Sequence, residues 1–144
     1  MGAQMPTKNI LVPIDGSPNS LRALKHAAER FRDSPRVHML LLNVQPALPA
    51  SRHVPRSMIK DHQQRMSEEA LVPARACAER LGITFDCYLR VGDPGEVIAN
   101  FAQRTHCREI VMGTRGLGRV RGLLLGSVTT KVIHLAAVPV TLVK

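Results

Sequence analysis

The chemically most suggestive stretch of this 144-residue chain is GTRGLGRVRGLLLGSVTT, residues 113–130. It combines five glycines with three arginines and ends in a run of hydroxyl side chains. Glycine allows backbone N–H groups to turn toward an anion and to approach it closely. Such a stretch could wrap phosphate groups, form a mobile surface loop, or serve as a basic arm that binds nucleic acid.

The common phosphate-binding and catalytic motifs do not match this stretch. A P-loop requires a lysine directly before its Ser or Thr, and no lysine precedes Ser127. The dinucleotide pattern G-x-G-x-x-G begins at Gly116 and Gly118 but has Arg121 in place of its third glycine. The nucleophile pattern G-x-S-x-G is also missing.

The rest of the chain alternates buried strands with amphipathic helices. Apolar runs predict strands at residues 9–14, 37–44, 83–91, 110–112 and 138–143. Ser17 and Asp93, each followed by proline, are typical N-caps, and Ser127 is a third candidate. The first helix is expected to end at about Arg32. Residues 45–56, with three prolines, predict a long loop.

The second helix is the longest of the predicted helices. Its apolar face is expected to carry Met58, His62, Met66, Ala70, Ala74, Cys77 and Leu81. On this interpretation Met58 and Met66 fill the core. Pro73 lies inside the helix and predicts a kink or a break.

Alternation of this kind predicts a single α/β domain, residues 1–144, with a doubly wound parallel sheet. Ligands bind such sheets beyond the carboxyl ends of the strands, where the strand order reverses. For the order 3-2-1-4-5 this point lies between the first and fourth strands. Residues 13–17 would then face the glycine stretch, with Asp15 at the opposite lip of a site. Asp15 could hold a metal ion or a ribose hydroxyl, or simply bond its own turn.

Composition narrows the possible partners and compartments. The net charge of +9 favours phosphate-bearing partners, but aromatic residues are only 3% and the basic residues are scattered, so a nucleic-acid surface is not expected. Three cysteines without a C-x-x-C spacing suggest a reducing cytoplasm. The amino terminus lacks the apolar core of a signal peptide, and the apolar run at residues 135–143 is too short to span a membrane.

One spacing in the glycine stretch does match a known pattern. Gly113-x2-Gly116-x9-Gly126-Ser127 resembles the G-x2-G-x9-G-[ST] nucleotide motif of the universal stress protein family. Residues 10–17, 111–116 and 138–143 also resemble its opening strand and turn, its fourth strand, and its closing strand. The resemblance implies a flavodoxin-like or adenine nucleotide alpha-hydrolase-like fold of strand order 3-2-1-4-5. It also implies a cytoplasmic stress-response protein that forms homodimers through its last strand.

Because the motif is retained, the chain resembles the ATP-binding branch of the family, with Mg²⁺ or Mn²⁺ accompanying the nucleotide. The resemblance implies that Pro13, Ile14 and Asp15 contact the nucleoside, with Asp15 near the ribose or the metal. It places Val44 at the adenine, with Asn43 a less certain contact, and Met112 and Gly113 at the base and ribose. It assigns the phosphates to Gly116, Gly126, Ser127, Val128 and Thr129.

The expected function is therefore that of an ATP-binding module that regulates or protects during stress. Hydrolysis should be slow or absent, since Asp15 is the one candidate base and a carboxylate that holds a metal is already engaged. Residues 116–125 would become ordered when nucleotide binds. The alternative is a protein-interaction scaffold that needs no nucleotide.

Overall fold

The computed structural model describes residues 6–116 and 125–144, so residues 117–124, within the predicted ordering segment, lie outside it. In the described residues five strands alternate with four helices. The strands are β1 (Lys8–Pro13), β2 (Val37–Gln45), β3 (Phe85–Val91), β4 (Glu109–Gly113) and β5 (Val140–Val143). The helices are α1 (Pro18–Arg30), α2 (Arg56–Arg80), α3 (Pro94–Arg104) and α4 (Ser127–Leu135).

All five strands are parallel and lie in the order β3-β2-β1-β4-β5, which confirms the predicted fold class and strand order. β3 and β5 are the edge strands. Between them β1 is buried on both faces, because Ile10 and Val12 pack toward one layer of helices and Leu11 toward the other. The first layer is α1 with α2, and the second is α3 with α4.

Two of the three predicted N-caps are confirmed. The Ser17 hydroxyl accepts a hydrogen bond from the Ser20 N–H at 3.2 Å, and the Asp93 carboxylate accepts one from the Glu96 N–H at 3.1 Å. The prediction for Ser127 was wrong, because Gly126 is the N-cap and Ser127 is the first helical residue. Gly126 takes the cap position because its N–H donates back to the Thr114 carbonyl at 2.7 Å.

Helix α2 differs from its prediction in two ways. It is continuous through Pro73, so the predicted break is wrong. Proline removes the hydrogen bond to the Glu69 carbonyl, but both residues are exposed and water can satisfy that carbonyl.

The buried face of α2 agrees with the prediction at Ala70, Ala74 and Cys77 but is offset from it in the first half of the helix. Met58 and Met66 are 56% and 40% exposed and do not fill the core, while Ile59, Gln63 and Ser67 are buried. The Gln63 amide donates to the Pro46 carbonyl at 3.0 Å, which satisfies a polar group on the buried face. The predicted pattern therefore follows the wrong face only in the first half of the helix, where polar side chains occupy buried positions.

Polar side chains tie the layers together at the amino end of the sheet. Glu109, at the start of β4, is buried and forms an ion pair with Arg30 near the end of α1. The Thr141 hydroxyl of β5 donates to the same carboxylate at 3.0 Å. On the other face, the Asn9 amide donates to the Thr105 carbonyl at 2.9 Å.

Candidate functional site

A cavity of about 210 Å³ opens beyond the carboxyl ends of β1 and β4, at the point where the strand order reverses. Eleven residues that the family resemblance assigned to the site line this one cavity. They are Pro13, Ile14, Asp15, Val44, Met112, Gly113, Gly116, Gly126, Ser127, Val128 and Thr129. The two lips predicted from sequence therefore face each other.

Asp15 has the turn role that was considered for it from sequence, and its second carboxylate oxygen lies at the cavity. Its Oδ1 accepts a hydrogen bond from the Ser17 N–H at 2.9 Å, which makes it a turn residue. Its Oδ2 faces Gly116, where a Cβ would collide with that oxygen. One oxygen of the carboxylate thus fixes the turn after β1, and the other faces across the cavity.

The packing around Gly113 requires a glycine at this position. A Cβ at this position would lie 2.9 Å from the Asn19 Cβ and 3.2 Å from the Asn19 backbone. The end of β4 therefore rests directly on the first turn of α1. The Gly113 carbonyl also accepts a hydrogen bond from the Thr129 hydroxyl at 3.0 Å, which joins β4 to the start of α4.

Among the described residues, the backbone donors in the first turn of α4 have no hydrogen-bond partner, and these residues line the cavity. Gly126 supplies no side-chain cap, so the N–H groups of Ser127, Val128 and Thr129 have no intrahelical partner. Within the described residues the Ser127 hydroxyl also has no protein partner, whereas the Thr129 hydroxyl proton is used on Gly113. A helix N-terminus of this kind attracts anions through its unpaired N–H groups and its dipole.

The other half of the cavity is apolar. Leu42 and Val44 of β2, Ile14, Met112, and Pro94 with Ile98 of α3 form its walls. This division separates a surface suited to a flat apolar group from a surface suited to an anion.

Sequence reasoning gave no binding role to six of the lining residues. They are Ser17, Ser20, Leu42, Pro94, Ile98 and Arg115. Strand alternation could have identified Leu42, which shares a face of β2 with Val44. Arg115 is one of the three arginines of the glycine stretch, and an arginine in a glycine-rich loop usually faces solvent.

Asn43, the less certain contact, does not line the cavity. Its side chain is buried and donates from Nδ2 to the Ile14 carbonyl at 2.7 Å. Its Oδ1 accepts from the Gln45 amide at 2.8 Å. Asn43 therefore fastens the turn after β1 to the end of β2, behind the cavity wall.

An ion-pair cluster joins the two helices that flank the cavity. The Lys131 ammonium of α4 lies 3.1 Å from Asp93 and 3.4 Å from Glu96, both at the start of α3. The Glu96 backbone N–H, and then Lys131, lower the pKa of Asp93. Hydrogen bonding to Asp93 in turn raises the pKa of Lys131.

The histidines and cysteines lie apart from this arrangement. His53, His62 and His134 are exposed. Burial raises the pKa of the Cys107 thiol, and it raises that of Cys87 although Arg75 opposes the shift.

In residues 6–116 and 125–144 no group of three or more His, Cys, Asp or Glu side chains is placed to hold a metal ion. No helix within these residues has the length and apolar character needed to cross a membrane.

Comparison with known proteins identifies the family. A family model for the universal stress protein family matches residues 6–144, and the chain belongs to that family. A universal stress protein of Methanocaldococcus jannaschii, MJ0531, is 34% identical over 140 residues, which cover 95% of this chain and 82% of the relative.

Two solved structures illustrate the likeness of the fold. The hypothetical protein MJ0577 is 30% identical with a TM-score of 0.77, over 95% of both chains. A universal stress protein in complex with cAMP is 26% identical with a TM-score of 0.73, over 95% of this chain and 97% of that one.

Proposed function

We propose that the cavity at the carboxyl end of the sheet binds an adenine nucleotide, with ATP as the expected ligand. The observation that carries this proposal is that all eleven residues assigned to the site by the family resemblance line one cavity. A family member that is 26% identical has been solved in complex with cAMP, which supports an adenine nucleotide as the ligand class.

The two halves of the cavity suit the two ends of such a ligand. The adenine would lie against Val44, Leu42 and Met112, and the ribose near Asp15 and Gly113. The phosphates would accept hydrogen bonds from the first-turn N–H groups of α4 and from the Ser127 hydroxyl. Gly116 leaves room for the phosphate chain beside Asp15, since any side chain there would meet the carboxylate.

A divalent ion fits this site only as a companion of the nucleotide. Asp15 offers one carboxylate oxygen toward the cavity, the other being engaged by the Ser17 N–H. Mg²⁺ typically takes one or two carboxylates together with phosphate oxygens and water. Bound in this way, the ion would neutralise phosphate charge, and Asp15 would fix its position.

The proposed role is that of a regulatory or protective module in the stress response, with slow or no hydrolysis of ATP. Hydrolysis requires a base that orients a water molecule beside the terminal phosphate. Among the described residues Asp15 is the one carboxylate that lines the cavity, and this proposal assigns it to the metal. The proposed compartment is the reducing cytoplasm, consistent with three unpaired cysteines.

We further propose a homodimer formed through β5, within the predicted segment 138–143. Pro139 and Val143 turn their carbonyls toward β4, so the alternation of the strand directs the N–H and C=O groups of Val140 and Leu142 outward. Leu142→Pro removes one outward N–H without breaking the bonds to β4. Sedimentation should then change from a dimer to a monomer, and a variant that stays dimeric would refute this interface.

Thermal unfolding with and without Mg-ATP tests the nucleotide proposal. A ligand that binds only the folded state should add about 2.7 kcal/mol at 100 times its dissociation constant. Ser127→Ala should weaken binding about tenfold, because it removes a hydrogen bond to a charged group. Thr130→Val is the matched control, since its hydroxyl bonds the Gly126 carbonyl and does not line the cavity.

If Mg-ATP does not shift the melting temperature of the wild type, there are two explanations. Acid extraction of the purified protein distinguishes them. Release of nucleotide from the purified protein would mean that the site was already filled. If no nucleotide is released and no shift occurs, the nucleotide proposal is wrong, and the protein-interaction scaffold becomes the better account.

A further inference from the structure

Asn19 is a buried polar residue that the proposed binding site does not use directly. It is the second residue of α1, 6% exposed, and it does not line the cavity. Its Nδ2 donates to the Arg115 carbonyl at 2.9 Å, across 96 residues of sequence. Because the partner is a carbonyl oxygen, the amide nitrogen must be the atom that faces it.

The orientation of this amide shows whether Asn19 caps its own helix or bonds a distant segment of the chain. Near the start of a helix, Asn usually accepts a backbone N–H with its side-chain oxygen. Here the Asn19 Oδ1 is buried and accepts no hydrogen bond from the described residues. The cap of α1 is Ser17 instead. The engaged end of Asn19 is therefore the donor, directed away from its own helix.

Two contacts from Asn19 hold the chain that follows β4. Its Cβ and backbone support Gly113 from behind, so closely that no Cβ fits between them. Its amide holds the carbonyl of Arg115, two residues further on. The cavity residues Gly113 and Gly116 lie at and just after these two points.

We propose that Asn19 is a positioning residue, which fixes the segment 113–116 in the conformation that accepts the phosphate chain. This inference rests on the proposed nucleotide function for its effect on affinity. The bracing of the segment itself does not depend on any ligand, and it can be measured in the free protein.

Asn19→Ala is the informative variant, because it keeps the Cβ that touches Gly113 and removes only the amide. Asn9→Ala is a closely matched control. Asn9 also donates from Nδ2 to a backbone carbonyl at 2.9 Å across 96 residues, but it does so at the amino end of the sheet. Both variants lose one amide-to-carbonyl hydrogen bond, and only one of the two bonds adjoins the cavity.

The test combines hydrogen exchange of the nucleotide-free protein with titration of Mg-ATP. Asn19→Ala should speed exchange in the peptide that covers residues 113–116 and raise the dissociation constant about tenfold. Asn9→Ala should lower the melting temperature about as much as Asn19→Ala does. It should leave the exchange rate of residues 113–116 and the dissociation constant for Mg-ATP unchanged. Rescue is expected from Asn19→Gln if its longer amide reaches the Arg115 carbonyl.

The possible outcomes separate this inference from the proposed function. If the wild type binds no nucleotide but Asn19→Ala still speeds local exchange, the bracing stands and the nucleotide proposal fails. If exchange at residues 113–116 is unchanged, or changes equally in Asn9→Ala, Asn19 does not position the segment, whatever the wild type binds.

Discussion

The two ends of the sheet are built from different interactions. At the amino end, charged and amide side chains join the layers, through Arg30 with Glu109 and through Asn9 with Thr105. At the carboxyl end, Gly113 and Gly116 bring backbone close to other elements, and a cavity remains open. Side-chain hydrogen bonds join the elements at both ends, as those of Asn19 and Asn43 do at the carboxyl end, so the difference is the bare backbone packed around an open cavity at that end.

The largest expected effect comes from filling the tight contact at the carboxyl end. Gly113→Val should destabilise the protein by about 3 kcal/mol, because the new side chain meets the Asn19 backbone, which cannot move aside. Gly126→Ala should cost about 1 kcal/mol or less, since its Cβ would make only ordinary contacts at 3.5 Å or more. Urea unfolding measures both. Equal losses would show that the carboxyl end is not packed as described.

The next effect belongs to the amino end. Glu109→Ala removes the partner of Arg30 and of the Thr141 hydroxyl, and it should cost about 2 kcal/mol of unfolding free energy. Mg-ATP affinity, measured by calorimetry on the folded protein, should be unchanged. A large loss of affinity would mean that the two ends of the sheet do not have separate roles.

A smaller effect is expected at the lip of the cavity. Asp15→Asn keeps the oxygen that accepts the Ser17 N–H and removes the charge that faces Gly116. Affinity for ATP should fall about tenfold in Mg²⁺ and change little in EDTA, consistent with loss of one charge-assisted contact. Asp61→Asn, an exposed carboxylate on α2, is the control. An equal loss with and without the metal would exclude Asp15 as a metal ligand.

The smallest effect concerns the ion pairs between α3 and α4. The pKa of Asp93 is lowered from its ordinary value of 3.8, so its folded state binds protons less readily than its unfolded state. Its stabilisation is therefore complete above that value and is lost as the pH falls through the depressed folded pKa. Asp93→Asn keeps a capping oxygen and should flatten the acid limb of melting temperature against pH. An unchanged acid limb would contradict this assignment.

The sequence predicted the sheet well because its strands are unambiguous. Buried parallel strands such as β1 and β4 are short apolar runs, and turn-forming residues separate them from the helices. The site residues that the family resemblance assigned also line one cavity. Strand ends were less accurate, since β5 begins at Val140 rather than at residue 138.

What the sequence did not predict depends on contacts between distant elements. The buried face of α2 carries Gln63, whose amide is satisfied there by a hydrogen bond to the Pro46 carbonyl. Pro94 and Ile98 line the cavity because the first turns of α3 lie beside it. The link from Asn19 to Arg115 joins positions whose separation gives no local pattern. Each of these features is a property of packing rather than of periodicity.

The most direct test of the nucleotide site is an amide chemical-shift map of the isotope-labelled protein titrated with Mg-ATP. The account predicts that the largest shifts occur at Gly113, Gly116 and residues 127–129, with little change at Thr105, Glu109 and Thr141. Shifts centred on the amino end, or no shifts in a protein shown to be free of nucleotide, would contradict it.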